Sequence, residues 1–382
     1  MIKKSILIIC FVITIVSLVG IAILNLNTPK NLTDAIVRKV RACHKDANFK
    51  FCIQSYVHSA LAFSSPHDFL DALKSRQGIN DEMVSACHTV SHAVGRDLFK
   101  KFKDISEAFA YCDSTCLSGC YHGAAESFLR GEEDEKIITH INESELKSRI
   151  NTACVKETSV NARFQCLHGL GHAIKNLTGL DIQKAIALCR AVGGDRDYNS
   201  CISGVMMENI AGEPNSRVVN DDVYYPCTMF DGNEKLACYI MQPSRMIQLG
   251  LSHIKIAGVC KTLDEKSRRY CLIGLGRELS DDVDGGRLTA SAEFCSSLAD
   301  ATDRHSCSEG IIFTLGAHSG DAHLMLSYCE DLESSALRTQ CFDTAISDIQ
   351  RERQTSIESL RQTCVSLKKR PEECTQVANS RK

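Results

Sequence analysis

Six residues with metal-ligating side chains occur as three pairs, each spaced i, i+4. Residues four apart lie on one face of an α-helix, and this is the spacing of H-x-x-x-H metal ligands. Equivalent helices stacked about 10 Å apart would bring such side chains together. Nitrogen-rich ligation suits zinc, copper or iron better than calcium or magnesium. The pattern predicts a mononuclear or dinuclear transition-metal site built from His88, His92, His122, Glu126, His168 and His172.

The motif leaves the use of that metal open. None of the three pairs is H-E-x-x-H, so the sequence gives no support for a zinc protease. Glu126 is interpreted either as a ligand or as a base for a metal-activated water. Arg96 lies one turn after His92, where we expect it to neutralise an anionic substrate, pair with Glu126, or lie in solvent. Redox chemistry, hydrolysis and metal handling all remain open.

The cysteines predict the framework that positions these pairs. The chain has 382 residues, 21 cysteines and no tryptophan. Ten cysteines recur at intervals of 33 to 46 residues, and nine of them have a second cysteine 8 to 12 residues upstream. Cys87 lacks one, but pairing it with Cys116 uses all 20 cysteines that follow residue 28. This even count favours ten disulfides over thiolate metal sites. The recurring, or landmark, cysteines are Cys52, Cys87, Cys120, Cys166, Cys201, Cys238, Cys271, Cys307, Cys341 and Cys374.

Between the cysteines the sequence is helical in pattern. Apolar residues recur every three or four positions, as in residues 181–189 and 336–349. We therefore expect each unit to form two antiparallel helices, with a disulfide across their turn that contributes about 3 kcal/mol. The predicted fold class is all-α, a disulfide-stapled α-solenoid of about ten helical-hairpin repeats of roughly 35 residues.

In repeat length and helix-turn-helix unit, this pattern resembles tetratricopeptide and Sel1-like repeats. The resemblance implies architecture only. The tetratricopeptide tryptophan-leucine-glycine pattern is absent, and Sel1-like proteins space their cysteines more closely.

Glycine stands three positions after the landmark cysteine in five units. Glycine within a helix costs about 1 kcal/mol relative to alanine, so its recurrence predicts close approach between helix backbones. The glycine recurs with or without a neighbouring histidine, which indicates a role in the scaffold. The five are Gly123, Gly169, Gly204, Gly274 and Gly310.

The amino terminus predicts a membrane anchor. Residues 6–24 are uncharged and mostly apolar, and Lys3 and Lys4 precede them. That length can cross the roughly 30 Å hydrocarbon core. We therefore expect an anchor over residues 1–27 and an exported ectodomain over 28–382, in the periplasm, at the cell surface or in a lumen. A cleaved signal peptide is the alternative.

Two rival functions are left open. The first is a binding module that holds a protein or peptide partner on the solenoid surface, with incidental histidines. The second is a thiol-disulfide oxidoreductase at Cys112, Cys116 and Cys120, which would need a free thiol. The formal charge of −3 provides no electrostatic footprint for nucleic acid. Within the metal-site repeats, residues 80–180, an acidic insertion at residues 131–145 is expected to be a lid or a solvated loop.

Overall fold

The fold is all-α, as predicted. A computed structural model of the protein describes residues 29–46, 48–74, 81–113, 115–131, 143–179, 181–211, 217–284, 287–318, 321–353 and 355–381. Over these ranges the secondary structure consists of helices and turns, with no strand.

Nineteen α-helices occur within the described ranges. They are α1 (Pro29–Cys43), α2 (Phe49–Leu61), α3 (Pro66–Lys74), α4 (Asp81–Phe102), α5 (Ile105–Phe109), α6 (Thr115–Arg130), α7 (Glu143–Ala153), α8 (Val160–Leu177), α9 (Ile182–Cys189), α10 (Asp195–Ala211), α11 (Gly232–Gln248), α12 (His253–Lys261), α13 (Glu265–Asp284), α14 (Leu288–Ser297), α15 (Ala301–His318), α16 (Ala322–Glu330), α17 (Ser335–Arg353), α18 (Ile357–Val365) and α19 (Pro371–Ser380).

Nine of the ten units contain a pair of α-helices, and the sixth departs from that pattern. Its first element is a single 3₁₀ turn, Cys227–Met229, followed by α11. Pro226 directly precedes this turn and has no amide hydrogen to donate within a helix. Cys227 nevertheless bonds to Cys238 as in the other units, so the staple persists where the first helix is lost.

The second helices of successive units form the continuous core of the protein. Each packs against the second helix of the next unit, from α2 against α4 through to α17 against α19. Contacts also join units that lie five apart, because α15 touches α6 and α17 touches α8. Later units therefore cover part of the third and fourth units, which carry two of the three ligand pairs.

All ten predicted disulfides are confirmed. Nine close a single unit, and the bond between Cys87 and Cys116 joins α4 to α6. Cys112 is bonded to Cys120. None of the three cysteines proposed for redox exchange is therefore a free thiol. Disulfides in this number indicate an oxidising, extracytoplasmic compartment.

The predicted close approach at glycine is also confirmed. A Cβ added to Gly204 would lie 1.9 Å from the carbonyl oxygen of His168, and one added to Gly310 would lie 2.0 Å from that of Ile273. Both distances are far shorter than van der Waals contact. The atoms that would be met are backbone atoms, which could move away only if the two helices separated. The same contact forms at a histidine and at an isoleucine, so it belongs to the scaffold.

The predicted anchor, residues 1–27, lies outside the described residues. Among the helices that are described, none combines the length and the apolar character needed to cross a bilayer. The central part of the acidic insertion, residues 132–142, is likewise outside them.

Two glycine substitutions test the close packing. We expect Gly204→Ala to lower the free energy of unfolding by about 1–3 kcal/mol, because the added methyl group forces α8 and α10 apart. Gly258→Ala is the matched control: it also lies within a helix, but an added Cβ there meets nothing within 4 Å. It should raise stability by up to about 1 kcal/mol. Denaturant unfolding measures both, and equal effects at the two sites would contradict the packing account.

Candidate metal centre

Five histidines from three neighbouring helices form one cluster. His122 on α6 lies at its centre, with ring centroids 5.4 Å from His88 and 5.5 Å from His92 on α4. On the other side, the ring centroids of His168 and His172 on α8 lie 5.0 and 4.8 Å from that of His122. The structure therefore brings together all five histidines that the sequence singled out.

Glycine contacts explain why these rings meet. Gly123 packs on the backbone of His92, and Gly204 packs on that of His168. A Cβ on Gly169 would lie 2.9 Å from the Cα of His122. Equivalent positions in three successive units are therefore held by His92, His122 and His168. Each of these residues packs against a glycine on the second helix of the following unit.

This equivalence corrects the alignment of the second unit. Counted from Cys87, the landmark cysteine of this unit, His88 and His92 are shifted by one residue from the later pairs, and the sequence analysis treated them as the pair of the second unit. By the glycine contact, His92 corresponds to the first member of each later pair and Arg96 to the second, while His88 lies one turn earlier. Cys87 is a poor reference point for aligning the second unit, because it bonds to Cys116 of the next unit and does not close a helical hairpin within its own unit.

Three of the histidines have the arrangement of a ligand set. The ligand atoms of His88, His122 and His172 all lie within 4.8 Å of one another. His88 Nδ1 lies 2.8 Å from the carbonyl oxygen of Cys116, and His172 Nδ1 lies 2.8 Å from Glu208 Oε2. Both oxygens accept, so each Nδ1 donates its hydrogen and the lone pair is on Nε2, the nitrogen that could coordinate an ion. His88 Nε2 also lies 3.0 Å from His92 Nε2, a contact that metal binding would replace.

His122 has unsatisfied nitrogens in the middle of the cluster. Its side chain is buried, with 2% of its surface exposed, and neither ring nitrogen has a hydrogen-bond partner among the described residues. His172 Nε2 is also buried and has no hydrogen-bond partner among the described residues. A buried polar group without a partner costs about 1–3 kcal/mol. A coordinated metal ion would satisfy His172 Nε2 and whichever nitrogen of His122 carries the lone pair; the other nitrogen of His122 carries the hydrogen and would still have no acceptor among the described residues.

Glu126 pairs with cations beside the three-histidine group. Its carboxylate lies 2.9 Å from Arg96 Nη1 and 2.6 Å from Arg130 Nη2, and its Oε2 is 3.5 Å from His92 Nδ1. Burial alone would raise the pKa of Glu126, but the two guanidinium groups hold it well below its usual value. Of the three roles expected for Arg96, the ion pair with Glu126 is confirmed. Arg96 Nε also donates to Gln54 Oε1, at 2.7 Å.

The environment keeps the central imidazoles neutral. Burial lowers the pKa of His92, and it lowers the pKa of His122 well below the ordinary value. Protonating His122 would also place its charge beside His172, His168 and His88. Neutral imidazole is the form that binds a metal.

The next unit supplies contacts that the sequence analysis did not assign. His168 Nδ1 lies 2.8 Å from Ser203 Oγ, and His168 Nε2 lies 3.3 Å from Met207 Sδ. Ser203 and Met207 hold the repeat positions of His168 and His172, so the repeat alignment contained the signal for both. Glu208 had no local signal, because it meets His172 only across the interface between two units.

Comparison with protein-family models, with curated proteins and with solved structures gave no significant match for this chain. The functional argument therefore depends on the geometry of the cluster.

The metal-free protein should lose stability below about pH 6.5. In the unfolded chain His92 and His122 have ordinary pKa values, whereas burial lowers both pKa values in the folded protein. As the pH falls through 6.5, both histidines become protonated in the unfolded state but stay neutral in the folded state. The free energy of unfolding therefore falls by at most about 1.4 kcal/mol per pH unit for each residue.

Denaturant unfolding at pH 7.5 and 5.5 in the presence of a chelator measures this loss. His122→Leu removes one of the two groups and should reduce the loss between the two pH values by about 1 kcal/mol. An identical loss in the wild-type protein and the variant would show that His122 is not held neutral by burial.

Proposed function

We propose that this chain is an exported metal-binding protein that holds a transition-metal ion in its buried histidine cluster. In this proposal the stapled units form an α-solenoid and the apolar amino-terminal segment anchors it in a membrane. The observation that supports metal binding most strongly is the group of His88, His122 and His172, whose ligand atoms lie within 4.8 Å of one another. Two of these histidines have their other nitrogen engaged by a fixed acceptor, which is the usual arrangement around a bound metal.

The surroundings favour holding a metal, or cycling its oxidation state, over hydrolysis. A hydrolytic metal needs an open coordination position, access for water and a base. Four of the five histidines are at most 9% exposed. Two carboxylates lie beside them, and both are engaged: Glu126 is paired with two arginines, and Glu208 accepts a hydrogen bond from His172 Nδ1. We therefore place metal handling or redox chemistry ahead of activation of water.

The rival proposal, a docking module for a protein or peptide, predicts a different surface. Contacts of α15 with α6 and of α17 with α8 cover part of the third and fourth units. The surface open to a partner on those two units is reduced accordingly. A wild-type protein that takes up no metal would favour this rival.

Metal uptake by the full-length protein, purified without a histidine tag, tests the proposal. We expect equilibrium dialysis against zinc, copper or iron, followed by elemental analysis, to find at least one ion per chain. His122→Ala and His172→Ala should each lower the affinity by at least about 10- to 100-fold, since that is the loss when only a partner that orients a ligand is removed. His323→Ala, at an exposed position outside the cluster, is the control and should bind as the wild type does.

Far-UV circular dichroism and disulfide mapping establish that the variants fold. Wild-type uptake no greater than that of a folded His122→Ala/His172→Ala double variant would overturn the proposal.

A further inference from the structure

We propose that the bound ion is cuprous copper and that Met207 Sδ and His168 Nε2 are two of its ligands. This inference rests on the proposed metal-binding function and specifies which metal the cluster selects. Met207 lies on α10, at the edge of the histidine cluster that faces the fifth unit. Its side chain is buried, with 8% of its surface exposed.

The hydrogen bonds of Ser203 determine the tautomer of His168. Ser203 Oγ donates its one hydrogen to the carbonyl oxygen of Ser200, at 2.7 Å. It can therefore only accept from His168, whose Nδ1 lies 2.8 Å away. A neutral His168 then carries its hydrogen on Nδ1 and directs the lone pair of Nε2 toward Met207 Sδ.

The contact between His168 and Met207 has the spacing of two ligands of one ion. The thioether sulfur is an acceptor without a hydrogen of its own, so two lone pairs face each other at 3.3 Å. Metal–nitrogen and metal–sulfur bonds of roughly 2.0 and 2.3 Å place their ligand atoms 3.3 Å apart when the angle at the metal is about 100°. A cation at the apex of that triangle, to one side of the line that joins the two atoms, would bond to both of them.

The ligand types favour copper in its reduced state. Thioether sulfur is a soft ligand that selects Cu(I), and imidazole nitrogen also suits copper. Met207 holds the repeat position of His172, and its sulfur lies beside His168 Nε2, so nitrogen donors of the fourth unit meet the sulfur donor of the fifth. His122, whose ring centroid is 5.0 Å from that of His168, has ring nitrogens without hydrogen-bond partners among the described residues.

X-ray absorption at the copper edge tests this assignment on the full-length protein loaded with Cu(I) without oxygen. We expect nitrogen scatterers and one sulfur scatterer at roughly 2.3 Å. Met207→Leu should remove the sulfur scatterer and weaken Cu(I) binding roughly tenfold or more in competition with a chromophoric chelator. Met206→Leu is the matched control, because Met206 is the adjacent buried methionine on α10, and it should change neither result.

The outcomes separate this proposal from the broader one. A wild-type copper centre with nitrogen scatterers alone, or unchanged Cu(I) affinity in Met207→Leu, would overturn the thioether assignment while metal binding by the histidines stands. Zinc affinity provides a further check, since Met207→Leu should leave it within about twofold of the wild type. If the wild-type protein binds neither copper nor zinc, the proposed function fails and this assignment fails with it.

Discussion

Direct contact between helix backbones at glycine is the constraint on which the rest of the structure depends. An added Cβ on Gly123 would lie 2.0 Å from the carbonyl oxygen of His92, and one on Gly204 would lie 1.9 Å from that of His168. Any larger residue would move neighbouring helices away from each other. Imidazole rings reach only a few ångströms from the backbone, so this spacing decides whether rings from three helices can share one volume.

The disulfides preserve that spacing and also take part in the site. The bond between Cys87 and Cys116 joins α4 to α6, the two helices that carry His88 and His122. The carbonyl oxygen of Cys116 also accepts the hydrogen bond from His88 Nδ1. Cys116 thus links two helices covalently and orients His88, so the proposed site would be preorganised for an ion.

The local parts of this structure were predictable from the sequence. Cysteine spacing identified ten disulfides, and recurrent glycine identified the close contacts, because both signals repeat at the period of the fold. The histidine cluster followed from i, i+4 spacing in successive units. What the sequence could not provide was the alignment of the second unit, since Cys87 bonds outside its own hairpin. It also could not provide the pairing of Glu208 with His172, which exists only across a helix interface.

The central claim is that the histidine cluster is a built metal site. Anomalous diffraction from crystals of the metal-loaded protein, collected on both sides of the absorption edge of the metal, tests it most directly. The account predicts a strong anomalous peak inside the cluster, roughly 2.0–2.1 Å from nitrogens of at least two of the residues His88, His122, His168 and His172. Crystals of loaded protein that show no peak there, or peaks only at exposed side chains, would contradict it.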